Sequence, residues 1–311
     1  MAKQRAPVQD YLVYLLVRLG TAFFQALTLA LCKEVAWLLS RIAYLVNKRH
    51  RQVALDNLRL AFPGRFTEPQ LRQIVHEVYE HFCLMLMEFV AMPRKLRPGN
   101  WRRYLEFTDG EELLTALLSG RPVLIASGHF GNWEMAAYML ALFGFKSYAV
   151  ARPLDNPYLD DYFRAIRERT GQKMLAKKGE LDRIEQVLTE KQILCSMADQ
   201  DAGQNGLYVD FFGRPASTHK ALALLALQHE AWVVVTGAYR IGDILQYRLK
   251  VQDVIPPEEY AHHPQAVRAL TQRITTSLEN LIRADITQYL WLHRRWKHQP
   301  KAKPKPLKAA G

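Results

Sequence analysis

Val123-Leu124-Ile125-Ala126-Ser127-Gly128-His129-Phe130-Gly131-Asn132-Trp133-Glu134 is the stretch on which the fold turns. Its first four residues form a short apolar run that ends in Ser and Gly. It therefore reads as a buried strand leaving the sheet through a tight turn into the first turn of a helix. A His and a carboxylate stand together at that strand exit. Five residues of uninterrupted helix would set His129 and Glu134 about 140° apart, so the two face one pocket only if the backbone bends between them. Gly128 and Gly131 supply the freedom to bend.

Outward from this stretch the chain alternates between the two periodicities. Helix is expected over residues 111–118, strand over 123–126, helix over 132–142 and strand over 147–151, ending at Arg152-Pro153. Helices over 158–170 and 181–189 follow, then a strand over 193–198 ending at Asp199-Gln200-Asp201. A helix over 219–228, a strand over 232–239, an edge-type alternation over 245–254 and a closing helix over 264–295 complete the series. Such alternation predicts an α/β fold with a mixed, largely parallel sheet flanked by helices. Upstream, helices are expected over 53–62, stopped by Pro63-Gly64, and over 67–92, opened by a Thr67 cap with Pro69 just inside. No internal repeat is visible.

The amino terminus has a different character. Residues 1–10 are polar, with Lys3 and Arg5, and residues 11–46 are strongly apolar, broken only by Arg18, Lys33-Glu34 and Arg41. Residues 11–31 are long enough to cross a hydrocarbon core of about 30 Å if Arg18 snorkels to an interface. The expectation is one membrane-embedded helix over 11–31 and a second, amphipathic helix at the surface, with a pair of buried soluble helices as the alternative. Three regions follow: an anchor over 1–46, a catalytic-type α/β domain over 47–298 and a basic tail over 299–311.

With 311 residues, of which 49% are hydrophobic and 23% charged, the chain can bury a sizeable core and is neither disordered nor fibrous. A formal net charge of +12 implies an anionic partner: nucleic acid, a membrane surface, or acidic substrates and carriers. No nucleic-acid-binding motif is present, and the apolar amino terminus argues against that partner. Cys32, Cys83 and Cys195 lack CxxC spacing, which argues against a disulfide framework or a zinc site and fits a reducing compartment.

Ligands of open α/β sheets sit beyond the carboxyl ends of the strands. His129 and Glu134, Arg152, Asp199 and Arg240 fall at four separate exits, a pattern that suits an anionic substrate. A His with a carboxylate in reach suits general-base work, one ring nitrogen accepting a hydroxyl proton while the carboxylate orients the ring. There is no G-x-S-x-G elbow and no local cysteine-enzyme signature. Direct transfer with a substrate hydroxyl as nucleophile is the simpler scheme.

His129-Phe130-Gly131-Asn132-Trp133-Glu134 resembles the His-x4-acid motif of glycerolipid-type acyltransferases, and in particular the late acyltransferases of lipid A biosynthesis. Other blocks agree in order: Lys48-Arg49-His50-Arg51 through Phe62-Pro63, Arg152-Pro153 with Asn156, and Asp199-Gln200-Asp201 with Phe211-Phe212-Gly213. Gln288-Tyr289-Leu290-Trp291 with His293-Arg294-Arg295-Trp296-Lys297 is similar to the carboxy-terminal signature. The resemblance departs at the strand over 232–237, which lacks an expected proline, and at Glu134, where relatives often have Asp.

The resemblance implies that His129 activates a hydroxyl of a glycolipid acceptor, which attacks the thioester of a fatty acid on acyl carrier protein, or on coenzyme A. It implies that Glu134 orients His129, that Arg152 binds an acceptor phosphate, that Asp199 and Gln200 shape the site, and that backbone N–H groups around Gly131 to Trp133 hold the oxyanion. No cofactor or metal is called for. Arg294 and Arg295 have two readings, contact with phosphorylated acceptor or an acidic carrier, or a basic helix end beside the membrane with Trp291 and Trp296 at headgroup depth. From Arg294 to Lys308 there are seven Lys or Arg and no acidic residue, which accounts for much of the excess charge. The implied location is the cytoplasmic side of a bacterial inner membrane. Acylation of another glycolipid or of a lysophospholipid, and a non-catalytic lipid-binding protein, remain open at this level.

Overall fold

The computed structural model describes residues 7–108, 110–176 and 179–300. Lys3, Arg5 and residues 301–311 of the basic tail lie outside them. Four helices come first: α1 (Pro7–Ala26), α2 (Leu29–Val46), α3 (Lys48–Ala61) and α4 (Glu68–Lys95). The α/β domain follows as β1 (Leu105–Thr108), α5 (Gly110–Leu118), β2 (Val123–Ser127), α6 (Trp133–Leu142), β3 (Ser147–Ala151), α7 (Pro157–Glu168), β4 (Lys173–Ala176), α8 (Leu181–Thr189) and β5 (Ile193–Met197). A hairpin of β6 (Leu207–Phe211) and β7 (Arg214–Thr218) comes next, then α9 (Ala221–Gln228), β8 (Trp232–Arg240), β9 (Tyr247–Ile255) and α10 (Ala266–Ala284).

The main sheet has the order β1-β9-β8-β2-β5-β3-β4. Strands β8, β2, β5, β3 and β4 run parallel, while β9 is antiparallel to β8 and carries β1 parallel to itself. The sheet is thus mixed and largely parallel, as the alternation predicts. Parallel strands need crossovers, and the helices that supply them cover the faces, so β2 is apolar on both sides: Val123, Leu124, Ile125 and Ala126 are all buried. One face packs on α3, α4, α9 and α10 through Leu58, Val75, Leu222 and Leu278. The other packs on α5 and α6.

One expectation about strands is corrected, and a hairpin is added. The segment over 245–254 is not an edge, because β1, four residues long and too short to read from pattern, adds outside it. The β6–β7 hairpin forms a separate two-stranded sheet at Phe212-Gly213, where both residues take positive φ.

The single membrane-embedded helix over 11–31 is also corrected. The chain breaks at Leu27-Thr28, where Thr28 Oγ1 accepts from Leu31 N at 3.3 Å and starts α2. Thr in the cap position offers the backbone a partner that an uninterrupted helix would not, so the apolar run becomes two helices. Among the described residues no helix is long and apolar enough to cross a membrane. Helix α2 lies along α4, and α1 rests on α4 and α7. Leu12, Leu16, Leu19 and Phe23 of α1 and Leu38, Ile42 and Leu45 of α2 remain exposed.

The closing helix over 264–295 stops early. Asp285 accepts from Thr287 N at 3.0 Å, a short 3-10 turn Ile286–Gln288 follows, and residues 289–298 run as irregular chain over the exits of β2 and β8. Trp291 is fully buried, with Nε1 donating to Ile286 O at 2.7 Å, and Trp296 is buried too, so neither lies at headgroup depth. This segment holds the turn after β2 in place: Gly131 N donates to Gln288 O at 2.9 Å and Leu290 N to His129 O at 2.9 Å. Asn57 of α3 donates to Trp291 O and His293 O, both at 2.7 Å, and ties the helical layer to the same segment.

Beneath the turn lies a buried polar cluster. Glu88 of α4 is 0% exposed and accepts from Arg240 at the end of β8, from Tyr247 Oη, from Leu245 N at 2.7 Å and from Asn132 Nδ2 at 3.2 Å. Asn132 in turn caps α6 by accepting from Met135 N at 2.9 Å. Removing one partner of such a buried ion pair typically costs about 3–5 kcal/mol, because the other charge is left without compensation. Arg240 is therefore spent inside the protein and is not the substrate cation its strand-exit position suggests.

Candidate active site

His129 sits two residues beyond β2, and its neighbour in space comes from the next strand in the sheet. Because β5 pairs with β2 in register, with Ser127 opposite Met197, the chain beyond β5 emerges beside the chain beyond β2. Ala198 N donates to Ser127 O at 2.8 Å and fixes the two exits together. Asp199 then grips His129 twice: Oδ2 accepts from the backbone N at 2.7 Å and Oδ1 lies 2.8 Å from ring Nδ1. With Nδ1 held, the basic position is Nε2, and Gln200 Nε2 lies 3.5 Å from it.

Burial alone would push His129 down from the usual imidazole range, but the Asp199 charge and hydrogen bond outweigh it and the net shift is upward. Burial would likewise raise Asp199; the His129 ring, the His129 backbone N–H and the Arg295 charge overcome that and hold it low. The carboxylate is 3% exposed and ionised, and the ring it orients is partly open.

Glu134 is placed differently from the sequence expectation. Its carboxylate is bound side-on by Arg167 of α7, at 2.6 Å from Nη2 and 2.9 Å from Nε. Its influence on His129 is electrostatic and its hydrogen bonds go elsewhere, so the ring is oriented by Asp199 and not by Glu134. The bend between the two is real. Gly131 has φ +60°, and a Cβ there would stand 1.9 Å from Ala238 O, so only glycine fits. Gly128, by contrast, has room for a side chain and no positive φ.

The other expected site residues divide. Arg152 lines the mouth of the site with its side chain 80% exposed and bonded only to Asp155, 3.1 Å away. Arg294 is on the surface. Arg295 is buried and donates to Ser217 O and Thr218 Oγ1, both at 2.6 Å, so it braces β7 and cannot reach a substrate. The Gly131 and Asn132 amides, expected to hold an oxyanion, are already spent on Gln288 O and on Ala238 O, at 2.9 Å and 2.7 Å.

A cavity of about 580 Å³ opens beside His129, Glu134, Arg167 and Gln200 and runs between the sheet and α5 and α6. Leu113, Leu117, Ile125, Leu140, Phe143 and Phe145 are among its apolar lining. Its size is that of a site for one small apolar ligand. No group of His, Cys, Asp and Glu among the described residues could hold a metal ion.

The family model described as bacterial lipid A biosynthesis acyltransferase matches residues 2–298. The chain belongs to that family. It is similar to the lipid A biosynthesis lauroyltransferase of Escherichia coli (strain K12), 26% identical over 86% of this chain and 85% of the relative. It is also similar to the lipid A biosynthesis myristoyltransferase of the same organism, 24% identical over 87% of this chain and 82% of the relative. A phosphatidylinositol mannoside acyltransferase of Mycolicibacterium smegmatis is 30% identical over 47% of this chain and 49% of its own.

This acyltransferase thus assembles its candidate site from three strand exits and two helices, and two of its features are not legible in the sequence. Arg167 sits in the last turn of α7, whose charges, read in sequence, look like a solvated face. The pairing of Asp199 with His129 spans seventy positions, and only the adjacency of β2 and β5 reveals it. The Asp199-Gln200-Asp201 cluster at a strand exit was the one available signal.

Proposed function

We propose that this acyltransferase moves a fatty acyl chain from a carrier-protein thioester to a hydroxyl of a lipid A precursor, with His129 as general base and Asp199 as its orienting carboxylate. The observation that carries this reading is a His held at Nδ1 by a buried carboxylate, its second nitrogen facing the mouth of an apolar cavity. The acceptor hydroxyl gives its proton to His129 Nε2 as its oxygen bonds to the thioester carbon. The carbon–sulfur bond of the resulting tetrahedral intermediate then breaks, and the leaving thiolate takes the proton back from the imidazolium. An ester and a free thiol result. The developing imidazolium is stabilised by Asp199, and the Gln200 amide stands near enough to the reacting atoms to donate to the oxyanion.

Glu134 and Arg167 form the rigid wall of the mouth, their charges satisfied by each other. Arg152, exposed at the same mouth, is the group for an acceptor phosphate, its planar fork suiting that anion. Arg94 in the last turn of α4 and Arg97, Arg102 and Arg103 just beyond it are exposed and suit an acidic carrier more than coenzyme A. Mass spectrometry of lipids from cells with and without the protein should show one acyl chain missing from lipid A in its absence. An unchanged lipid A profile would reject the acceptor. The mycobacterial relative favours a second reading, acylation of a different phosphorylated glycolipid, which the same spectra would reveal.

The exposed apolar residues of α1 and α2 support a helical pair lying in the headgroup layer of the inner membrane's cytoplasmic face, since an apolar patch of this extent marks a binding surface. Purified protein should float with vesicles containing anionic lipid. The Leu16→Glu, Leu19→Glu double variant should remain at the bottom of the gradient; flotation equal to wild type would show that α1 does not insert.

A further inference from the structure

Apolar side chains line the cavity between the polar groups at its His129 mouth and a further polar group at its far end. Gln172, just before β4, lines the cavity, is 3% exposed, and has no hydrogen-bond partner for its Nε2. The strand registers place it: Tyr148 pairs with Lys173, Ser147 with Ile193, and Ile193 with Val123. Gln172 is therefore level with Val123, four residues below Ser127, or about 13 Å down the strand from the exit that carries His129. Ser147, fully buried, stands at the same level, and Cys195, lining the cavity one pleat above, interacts with its hydroxyl. Gln172 and Cys195 thus line this end of the cavity, with Ser147 buried at the same level outside the lining, where a saturated chain end needs no polar group.

We infer that this end of the cavity receives an oxygen atom carried by the acyl chain, a hydroxyl or a carbonyl remote from the thioester. The inference rests on the cavity holding the acyl chain. An amide N–H buried without an acceptor costs the free energy of its lost hydration, so it is a poor lining for hydrocarbon and a good one for an oxygen that accepts from it. A chain oxygen could accept from Gln172 Nε2. The Cys195 thiol, pushed up to about 12 by burial, stays protonated and adds no charge to this end.

The sign of the effect makes the inference testable. In an apolar cavity a chain hydroxyl weakens binding, because it loses water and gains nothing; here, placed near the methyl end, it should strengthen binding. Full-length protein in detergent would be titrated with saturated fatty acids from lauric to palmitic, each with and without one hydroxyl at defined positions, by displacement of a fluorescent fatty acid. The expected result is at least about fivefold tighter binding for a hydroxyl near the chain end and none for one near the carboxyl. Gln172→Leu should reverse the preference. Plain chains that displace the probe as well as every hydroxylated one, or better, would overturn the inference while leaving the cavity as the acyl site. Failure of every fatty acid to displace the probe would reject the acyl-cavity reading itself.

Discussion

His129→Ala should lower kcat for acyl transfer by about a thousandfold or more, the range that a positioned general base contributes. The substitution removes a group that lines the cavity mouth and is hydrogen-bonded to the buried Asp199. It also leaves Asp199 with fewer partners, so loss of activity alone could reflect a loosened fold. His129→Asn separates the two effects, since its amide can still donate to Asp199 while offering no basic nitrogen. Both variants should be inactive, and the Asn variant should melt close to wild type. Single-turnover transfer from an acyl-carrier thioester is the measurement, and near-normal turnover in the Asn variant would remove His129 from the chemistry.

Asp199→Asn should reduce the rate by about a thousandfold to ten-thousandfold, as expected when a neutral amide replaces the carboxylate that fixes a catalytic tautomer. The pH profile distinguishes this from a general disturbance. His129 must be neutral to accept a proton, so in the wild-type enzyme kcat/KM rises with pH through a value above the ordinary imidazole pKa, because Asp199 raises it. In the variant the charge and the ionic hydrogen bond are gone and burial, which acts downward, is left. The acid limb should therefore move to lower pH while the plateau falls. Glu134→Gln should lower that limb by less, because the Glu134 charge raises His129 more weakly than Asp199 does and its hydrogen bonds go to Arg167. A limb that shifts with Glu134 and not with Asp199 would reverse the two assignments.

The helices and strands of the domain were legible wherever hydrophobic period and punctuation agreed. The β3 and α8 boundaries match the expected segments residue for residue, and β2 differs by one. Strands β1 and β4 escaped because four residues carry too little period, and the early end of α10 turned on one Asp285 side chain. The amino terminus misled for a related reason. An apolar run of sufficient length was taken as one helix, although Thr28 was already a cap in the sequence.

Chemical type was legible in the sequence. A His at a strand exit, flanking glycines that let the backbone bend, no nucleophile motif, and blocks in the order of a known family together point to an acyltransferase. Partnership was decided by tertiary structure alone. Spacing joined His129 to Glu134, whereas the sheet order joins His129 to Asp199, sends Glu134 to Arg167, and turns Arg240 and Arg295 inward to Glu88 and to β7. A residue's chemistry is a property of its side chain and survives in the one-dimensional record. Which charges neutralise each other depends on distances of a few ångströms between strands far apart in the chain, and those exist only after the sheet has formed.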